Sequence, residues 1–304
     1  MRITYGMLTG NVMSSLMNSA GRLIEAQNTA SSGKRISRPS DDVPGIGRSL
    51  SLRSALSQLE QLSRNADVVR SQLSVTSTTL DSVVNALQEA RRLALTASNS
   101  TQTSQSRAAI AAQLDSVMTE LARLGNTQYA GKYIFSGASS DTQTIVPGDP
   151  PSPPFVCNGD SVELTVQVAP SVYMAANVTG KKLFNFDGEA MPGESDTFSV
   201  IDELKTRVLN GSPVDVSTWL ARVDAHLANV IAIRSQVGGR LARLEAASNS
   251  LADSRTELQR LLSETEDVDL SQALVELRAR ENIYQAAVAV ASRLLNVSLV
   301  EYLK

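Results

Sequence analysis

Residues 59–97 read LEQLSRNADVVRSQLSVTSTTLDSVVNALQEARRLALTA. Apolar or small residues recur along this stretch at alternating steps of three and four, at Leu59, Leu62, Ala66, Val69, Leu73, Thr76, Leu80, Val83, Leu87, Ala90, Ala94 and Ala97. This spacing puts them on one face of a helix, and when sustained over several heptads it is typical of a coiled-coil seam. The stretch therefore predicts a long helix that packs along another helix.

A second run with the same phase lies near the other end of the chain. Its members are Val223, Leu227, Val230, Val237, Leu241, Leu244, Leu251, Leu258 and Leu262. Because both runs present a seam of similar period, we expect the two chain ends to pack on each other.

The composition agrees with long seams rather than with a thick globular core. Of the 304 residues 42% are hydrophobic but only 4% are aromatic, so Leu, Val and Ala must supply most of the buried area. The 28 basic and 31 acidic residues leave a net charge of -3, which provides no basic field for a phosphate backbone. We therefore expect an elongated helical molecule that does not bind nucleic acid.

The residues that usually carry chemistry are scarce. Cys157 is the single cysteine, so an internal disulfide and a cysteine-rich zinc site are excluded. His226 is the single histidine, and no Ser/His/Asp or Cys/His arrangement can be assembled around it from the sequence. His226 precedes Leu227 in the second seam and is expected to be solvated or at the edge of that seam. The sequence thus predicts neither an enzyme nor a bound cofactor or metal.

No part of the sequence predicts a membrane segment. Residues 1–18, MRITYGMLTGNVMSSLMN, contain no continuous apolar core of the signal-peptide kind, and no run of about 18 apolar residues occurs in the chain. We expect no membrane partner, and any export must proceed without a cleaved signal peptide.

The first part of the chain predicts a weak helix, a loop and a long helix. Met13, Met17, Ala20 and Ile24 share one face of a terminal helix that carries few charges. Residues 31–45, SSGKRISRPSDDVPG, contain glycines and prolines that interrupt helices and therefore predict a loop. Asp41 and Asp42 precede the long helix, expected at about 47–98, where negative charge stabilises a helix N-terminus.

The middle and the last part of the chain alternate between helical and strand patterns. A turn at 99–106 precedes a helix marked by Ile110, Leu114, Val117, Leu121 and Leu124, and prolines and glycines become frequent after about residue 132. Strands are predicted at 162–168, 172–178 and 182–186. Helical patterns return near Val200, break at 210–213, resume at 216–265 and recur at 270–303.

The predicted fold class is mainly α: an elongated antiparallel helical bundle or coiled coil formed by both chain ends, with a small β-rich inserted domain. We divide it into three parts. Terminal helices of an inner tube comprise 1–40 and 270–304, a long-helix bundle comprises 41–131 and 200–269, and a small β-rich outer domain comprises 132–199.

The two terminal segments carry apolar residues that a monomer would leave exposed. These are Met13, Met17, Ile24, Leu277, Tyr284 and Leu295. Soluble monomers avoid large apolar patches, so we expect these surfaces to contact neighbouring subunits. Contacts that repeat around an axis produce rings or tubes.

Several motifs resemble a known family. SSGKRISRPSDDVPG closely resembles the N-terminal signature of bacterial flagellins, and Ser63 to Ala66 repeat their SRNA element at the expected distance. The resemblance extends to QVGGRLARLE at 236–245. Within the same superfamily, NTQYAGKYIFSG at 126–137 and the ending NVSLVEYLK at 296–304 are similar to the hook-filament junction proteins.

The resemblance implies a structural adaptor, secreted unfolded through the flagellar type III apparatus and assembled as a ring of identical subunits in the extracellular flagellum. Its implied partners are the other junction protein, flagellin, and an export chaperone that binds the C-terminal region. The interface candidates added on this ground are Arg35, Asp41, Asp42, Asn65, Tyr302 and Leu303. Two alternatives remain open at this point: a short flagellin, and a coiled-coil binding protein unrelated to flagella.

Overall fold

The protein is described by a computed structural model that covers residues 5–98, 103–148, 154–210 and 216–302. The chain divides into two compact units. We call Met1–Gln58 together with Ser254–Lys304 the terminal unit, and Leu59–Asp253 the central unit. The three-part division expected from the sequence stays a prediction.

The described residues form seven α-helices and six short strands. The helices are α1 (Tyr5–Ser32), α2 (Val43–Ala97), α3 (Ser104–Gly125), α4 (Gly180–Phe184), α5 (Thr197–Leu209), α6 (Val216–Glu266) and α7 (Leu270–Tyr302). The strands are β1 (Gln128–Tyr129), β2 (Lys132–Tyr133), β3 (Ile145–Pro147), β4 (Phe155–Cys157), β5 (Thr165–Ala169) and β6 (Val172–Ala175). The predicted mainly α fold with a small β insertion is confirmed.

In the central unit the α2 seam is buried as predicted. Ten of its twelve positions are buried, and Leu59 and Ala97 at its two ends are half-buried. Burial of this apolar area is the main stabilising contribution, because each large side chain withdrawn from water contributes about 1.5–3 kcal/mol. Leu258 and Leu262, the last members of the second run, are only half-buried in the terminal unit.

Two ion pairs define the direction of α6 against α2 in the central unit. Arg91 Nε lies 2.6 Å from Asp224 Oδ1, and Arg234 Nε lies 2.6 Å from Asp81 Oδ1. A step of ten residues backward along α2 therefore matches a step of ten residues forward along α6. The two helices are antiparallel, as the seams predicted.

Helices α3 and α5 complete the helical part of the central unit. The Thr103 hydroxyl accepts a hydrogen bond from the Ser106 N–H at 3.2 Å and caps α3. Asp196 caps α5 by accepting from two backbone N–H groups at 3.0 and 2.9 Å. Helix α3 packs against α5, and Lys205 of α5 lies 3.0 Å from Asp115 of α3.

The β structure consists of three separate antiparallel hairpins. Strand β1 pairs with β2, β3 with β4, and β5 with β6, the last with a bulge between Gln167 and Ala169. The β1–β2 turn has positive φ at both Ala130 (51°) and Gly131 (79°), as a two-residue hairpin with the twist of its strands requires. The strands predicted at 162–168 and 172–178 correspond to β5 and β6.

The strand predicted at 182–186 is wrong, because this segment begins within helix α4. Leu183, Phe184 and Phe186 are all buried, so their spacing reflects packing in an apolar core. Asn185 adopts a left-handed conformation (φ 56°) that ends the helix. Tertiary packing decides the conformation of so short a segment.

The prediction that His226 is solvated or at a seam edge is also wrong. Its side chain is only 1% exposed and lies in the core of the central unit. Next to it, Phe198 lies within 6 Å of Phe155, Phe184 and Phe186, with ring centroids 5.0, 5.2 and 5.8 Å away. The few aromatic residues are therefore concentrated where the β hairpins meet the helices.

Some sequence predictions fall on residues that the structure does not describe. Part of the predicted turn at 99–106, residues 149–153 of the proline-rich stretch and part of the helix break at 210–213 lie outside the described residues. Among the described helices, none combines the length and the hydropathy needed to cross a membrane.

Candidate functional site

The candidate site lies in the terminal unit, at the loop between α1 and α2. Helix α1 ends at Ser32, and Gly33 follows with φ 68°, where a side chain would be strained. The Gly33 N–H donates to Thr29 O at 3.0 Å and its carbonyl accepts from Val268 N–H at 3.0 Å. The end of α1 is thus joined directly to the connection between α6 and α7.

Arg35 adds further hydrogen bonds between this loop and the end of α6. Its backbone N–H donates to Glu266 O at 2.6 Å, and its Nη2 donates to Thr265 O at 3.0 Å. The same guanidinium donates from Nη1 to Asp42 Oδ2 at 3.2 Å. Arg35 therefore links the C-terminal end of α6 to the residue that precedes α2.

The two adjacent aspartates lie just before α2, as predicted, but only Asp42 bonds to the start of the helix, whereas Asp41 closes the loop before it. Asp42 Oδ1 accepts from the Gly45 N–H at 2.9 Å, and Asp41 Oδ2 accepts from Arg38 and Ser37 N–H groups at 2.7 and 3.1 Å. These backbone hydrogen bonds stabilise the charged carboxylates and hold the pKa of each aspartate below its usual value.

Glu266 is the centre of a charged cluster that we call the junction cluster: Lys34, Ser49, Arg53 and Glu266. The Glu266 carboxylate is buried, and it accepts from Arg53 Nε at 2.8 Å, Arg53 Nη2 at 2.6 Å and Lys34 Nζ at 2.9 Å. The Ser49 hydroxyl also donates to it. The Arg53 hydrogen bonds are the main reason that the pKa of Glu266 falls to about 2.

The junction cluster joins three parts of the terminal unit. Lys34 comes from the loop, Ser49 and Arg53 from the first turns of α2, and Glu266 from the last residue of α6. A buried carboxylate is costly unless it is paired and hydrogen-bonded, and Glu266 meets both conditions. The cluster consequently holds together the loop after α1, the start of α2 and the end of α6.

The sequence patterns do not identify Ser49, Arg53 or Glu266. One signal is present: a glutamate at the C-terminal end of a helix is unfavourable next to the negative end of the helix dipole. Its presence at the last position of α6 indicates a positive partner from elsewhere in the chain. The identity of that partner depends on tertiary packing and cannot be deduced from α6.

The apolar residues predicted at the interface of α1 lie on its outer face. Met13, Met17 and Ile24 are 50%, 68% and 57% exposed. Val12, Leu16 and Leu23, in contrast, are half-buried, and α1 packs along α7. A pair of helices can bury only one stripe of each member, so the outer stripe of α1 has no cover within the described residues of the terminal unit.

Helix α7 likewise has apolar residues both on the side that is buried and on the side that is exposed. The predicted interface residues Leu277 and Tyr284 are half-buried on the side that also carries the buried Ala273 and Ala291. The exposed apolar side chains of α7 are others: Leu274, Val275, Ile283, Val288 and Val290. The outer surface of α7 thus carries apolar side chains among charged ones such as Glu276 and Arg278, and the apolar ones were not among the candidates.

The remaining candidates have different positions. Asn65 lies in the central unit, where its Nδ2 donates to Gln167 O at 3.1 Å and so binds α2 to β5. Leu295 and Tyr302 belong to helix α7, and Leu303 lies outside the described residues. The role of all these residues in subunit contacts stays a prediction. No group of three or more His, Cys, Asp or Glu side chains in the described ranges is arranged to hold a metal ion.

Comparison with known proteins places both chain ends in one family. The family model for the bacterial flagellin N-terminal helical region matches residues 3–140, and that for the C-terminal helical region matches residues 220–303. Flagellar hook-associated protein 3 of Escherichia coli K12 is 26% identical over 325 aligned residues that cover 100% of both chains. The protein of the same name from Salmonella typhimurium is 27% identical, with 99% of each chain covered.

Solved structures agree with this fold. A flagellar hook-associated protein from Vibrio parahaemolyticus matches with a TM-score of 0.66 and 26% identity, covering 75% of this chain and 100% of that one. Hook-associated protein 3 from Legionella pneumophila matches with a TM-score of 0.64 at 16% identity, covering 70% and 97%, which supports the fold alone. With both terminal regions matched, the chain belongs to the bacterial flagellin superfamily, and it resembles flagellar hook-associated protein 3 over its whole length.

Proposed function

We propose that this protein is a structural component of the bacterial flagellum that joins the hook to the flagellin filament. One observation carries the proposal: flagellar hook-associated protein 3 of E. coli aligns over 100% of both chains. The protein acts by forming contacts, and its function includes no chemical step.

The alternative, a short flagellin, is less well supported. The flagellin of Halalkalibacterium halodurans is 25% identical, nearly the same value, but the alignment covers 88% of this chain and 86% of that one. The flagellin of Bacillus subtilis, 23% identical, aligns over 96% of both chains, so chain length alone does not separate the two classes. The junction is favoured because both hook-associated proteins 3 align over 99–100% of each chain at 26% and 27% identity, above the 25% and 23% of these two flagellins.

The terminal unit supplies the physical basis of assembly. Its two long helices α1 and α7 pack on each other and leave apolar stripes on their outer surfaces, including Met13, Met17 and Ile24. Burial of these stripes between neighbouring subunits would stabilise the assembly by about 25 cal/mol for each Å² of apolar surface removed from water. A contact between unlike surfaces repeats from one subunit to the next, and it forms a ring when the rotation between neighbours closes the circle. We expect such a closed ring here.

Partners and the route of export follow from the same proposal. The ring would contact the other hook-filament junction protein on one side and flagellin on the other. Before export, an apolar terminal segment needs protection from aggregation, so we expect a flagellar export chaperone to bind the C-terminal region. Export would use the flagellar type III apparatus, and the mature protein would be extracellular.

Deletion of the gene in its own organism tests the proposal. Hooks should remain intact while unpolymerised flagellin accumulates in the culture medium, because the filament has lost its point of attachment. Restoring the gene should restore filaments. Filaments of normal length on the deletion strain would contradict the proposal, and loss of all filament protein from cells and medium would favour the short flagellin.

A further inference from the structure

His226 is a buried ionisable group that no part of the proposed function uses. It lies on α6 with 1% of its surface exposed, in the core of the central unit. The chain has no other histidine, so any change of charge on an imidazole comes from this residue.

Hydrogen bonds connect His226 to two other elements. The Thr197 hydroxyl, at the first residue of α5, donates to the Phe184 carbonyl at the end of α4 at 3.1 Å. A hydroxyl has one hydrogen, so with that hydrogen on the Phe184 carbonyl its oxygen accepts from His226 Nδ1, which lies 3.0 Å away. The chain of bonds therefore joins α6, α5 and α4 and assigns the ring proton to Nδ1.

The other ring nitrogen, Nε2, is the site at which a second proton would bind. Nε2 is buried and has no hydrogen-bond partner among the described residues. A proton added there would place a positive charge in the core, and burial of that charge costs free energy.

Charged groups around the ring act in both directions. Glu194 and Asp196, in the segment before α5, favour a positive imidazole, as does the Ser195 carbonyl. Arg222, one turn earlier on α6, opposes it and is itself held by Glu194 and Glu203 at 2.6 and 3.1 Å. Burial outweighs these effects and lowers the pKa of His226 below its ordinary value of 6.5.

We propose that His226 is an acid-sensitive switch, and that its protonation loosens the packing of α4, α5 and α6 in the central unit. The aromatic cluster of Phe155, Phe184, Phe186 and Phe198 adjoins this bond chain, since Thr197 precedes Phe198 and the carbonyl acceptor belongs to Phe184. Loosening at His226 therefore also weakens the attachment of the β3–β4 hairpin. This switch is a property of the central unit itself and is independent of the proposed function.

The sign of the pH dependence follows from the lowered pKa. Below pH 6.5 the unfolded chain binds a proton at His226 that the folded chain does not, so stability falls as pH falls. The folding equilibrium constant should fall by up to about tenfold per pH unit, levelling off below the pKa of the folded state. Above about pH 7 the histidine is neutral in both states and has no effect.

Trp219 provides a direct reporter. It is the only tryptophan, lies two helical turns before His226 on α6, and contacts Arg222, whose guanidinium carbon is 4.7 Å from the ring centroid. Urea unfolding of the full chain is followed by Trp219 fluorescence at about pH 8 and about pH 5.5. It measures the stability of the central unit above and below the ordinary histidine pKa. The wild-type midpoint should be lower at the acidic pH, whereas the midpoint of His226→Gln should be the same at both values.

Each result decides the proposal. Equal losses in wild type and His226→Gln would assign the pH effect to carboxylates and overturn it, as would a wild-type midpoint that does not change. If His226→Gln does not fold, NMR titration of the single imidazole in the wild-type protein replaces it. Titration clearly below pH 6.5 supports the switch, and titration at or above 6.5 overturns it.

Discussion

Arg53 binds Glu266 through two hydrogen bonds, with Nε 2.8 Å from Oε1 and Nη2 2.6 Å from Oε2. This paired geometry is the strong form of the arginine–carboxylate interaction. The two residues are 213 positions apart in sequence, so the interaction joins the N-terminal and C-terminal parts of the terminal unit. Their contact is therefore the natural target for testing how that unit is held together.

Replacing Glu266 with alanine should weaken the terminal unit by about 1–3 kcal/mol, because Arg53, Lys34 and Ser49 all lose an acceptor. Faster hydrogen exchange in α1 and α7 would measure the change. Glu257→Ala on the same helix is the matched control, since the pair of Glu257 with Arg260 is exposed and should contribute little. Equal exchange in the two variants would contradict the role of the junction cluster.

Acid should release the same contact. The pKa of Glu266 is lowered from 4.5 to about 2, so its contribution is complete above pH 4.5 and lost as pH falls toward 2. At about 1.36 kcal/mol per pKa unit the contribution is about 3 kcal/mol. Hydrogen exchange of α1 across this acid range checks the prediction. In Glu266→Gln, the part of the acid dependence due to this carboxyl should disappear.

Two adjacent valines of α2 test the seam. Val69 is 1% exposed in the core of the central unit, whereas Val68 is 59% exposed. Val69→Ala should cost about 2 kcal/mol through lost burial and a small cavity. Val68→Ala has the same change in helix propensity without that loss, so it should be neutral or slightly stabilising. Chemical unfolding measures both, and similar losses would argue against the predicted seam.

Two glycines should respond in opposite directions to alanine. Gly137 has φ 74°, and a Cβ there would overlap the Asp160 carboxylate that accepts from Ala138 N–H. Gly137→Ala should therefore destabilise the central unit by about 1–3 kcal/mol. Gly238 lies inside α6, where an added Cβ would meet no neighbouring group within 4 Å, so Gly238→Ala should stabilise by about 0.5–1 kcal/mol. Thermal melting distinguishes these effects.

The outer stripe of α1 can be tested by a change of polarity. Met17→Glu and Ile24→Glu place a charge on exposed positions, so the purified subunit should keep its helical circular dichroism. Motility should nevertheless be lost, because the charge would be buried between subunits. Leu16→Glu is the contrasting variant, since Leu16 is half-buried and its replacement should disturb the subunit itself. Normal swimming with Met17→Glu would contradict the proposed interface.

The sequence is most informative where the pattern is long. The seam at 59–97 predicts both the helix and its buried face, since repeated heptads leave little choice of orientation. The strand prediction over helix α4 fails because five residues carry no stable period, and burial of Leu183 and Phe184 decides their conformation. The prediction for His226 fails because its burial depends on Thr197 and Phe184, both remote in sequence.

For the site, local signals locate the loop but not its partners. Asp42 is placed correctly at the start of α2 because a helix start has local capping preferences, whereas the bonds of Asp41 to the loop are not a capping contact. The junction cluster joins Lys34 to Glu266 over 232 positions, and no local rule connects them. Exposed apolar residues on the terminal helices are predicted from the sequence. Which face of α7 points outward depends on its packing against α1, and this packing leaves Leu274 and Val288 exposed.

The place of this protein along the flagellum decides between a junction component and a filament subunit. Immunogold electron microscopy of intact flagella, with an antibody against this protein, should label only the boundary between hook and filament. A strain without the gene is the control for antibody specificity. Label distributed along the whole filament would contradict the proposed junction and would identify the protein as a filament subunit.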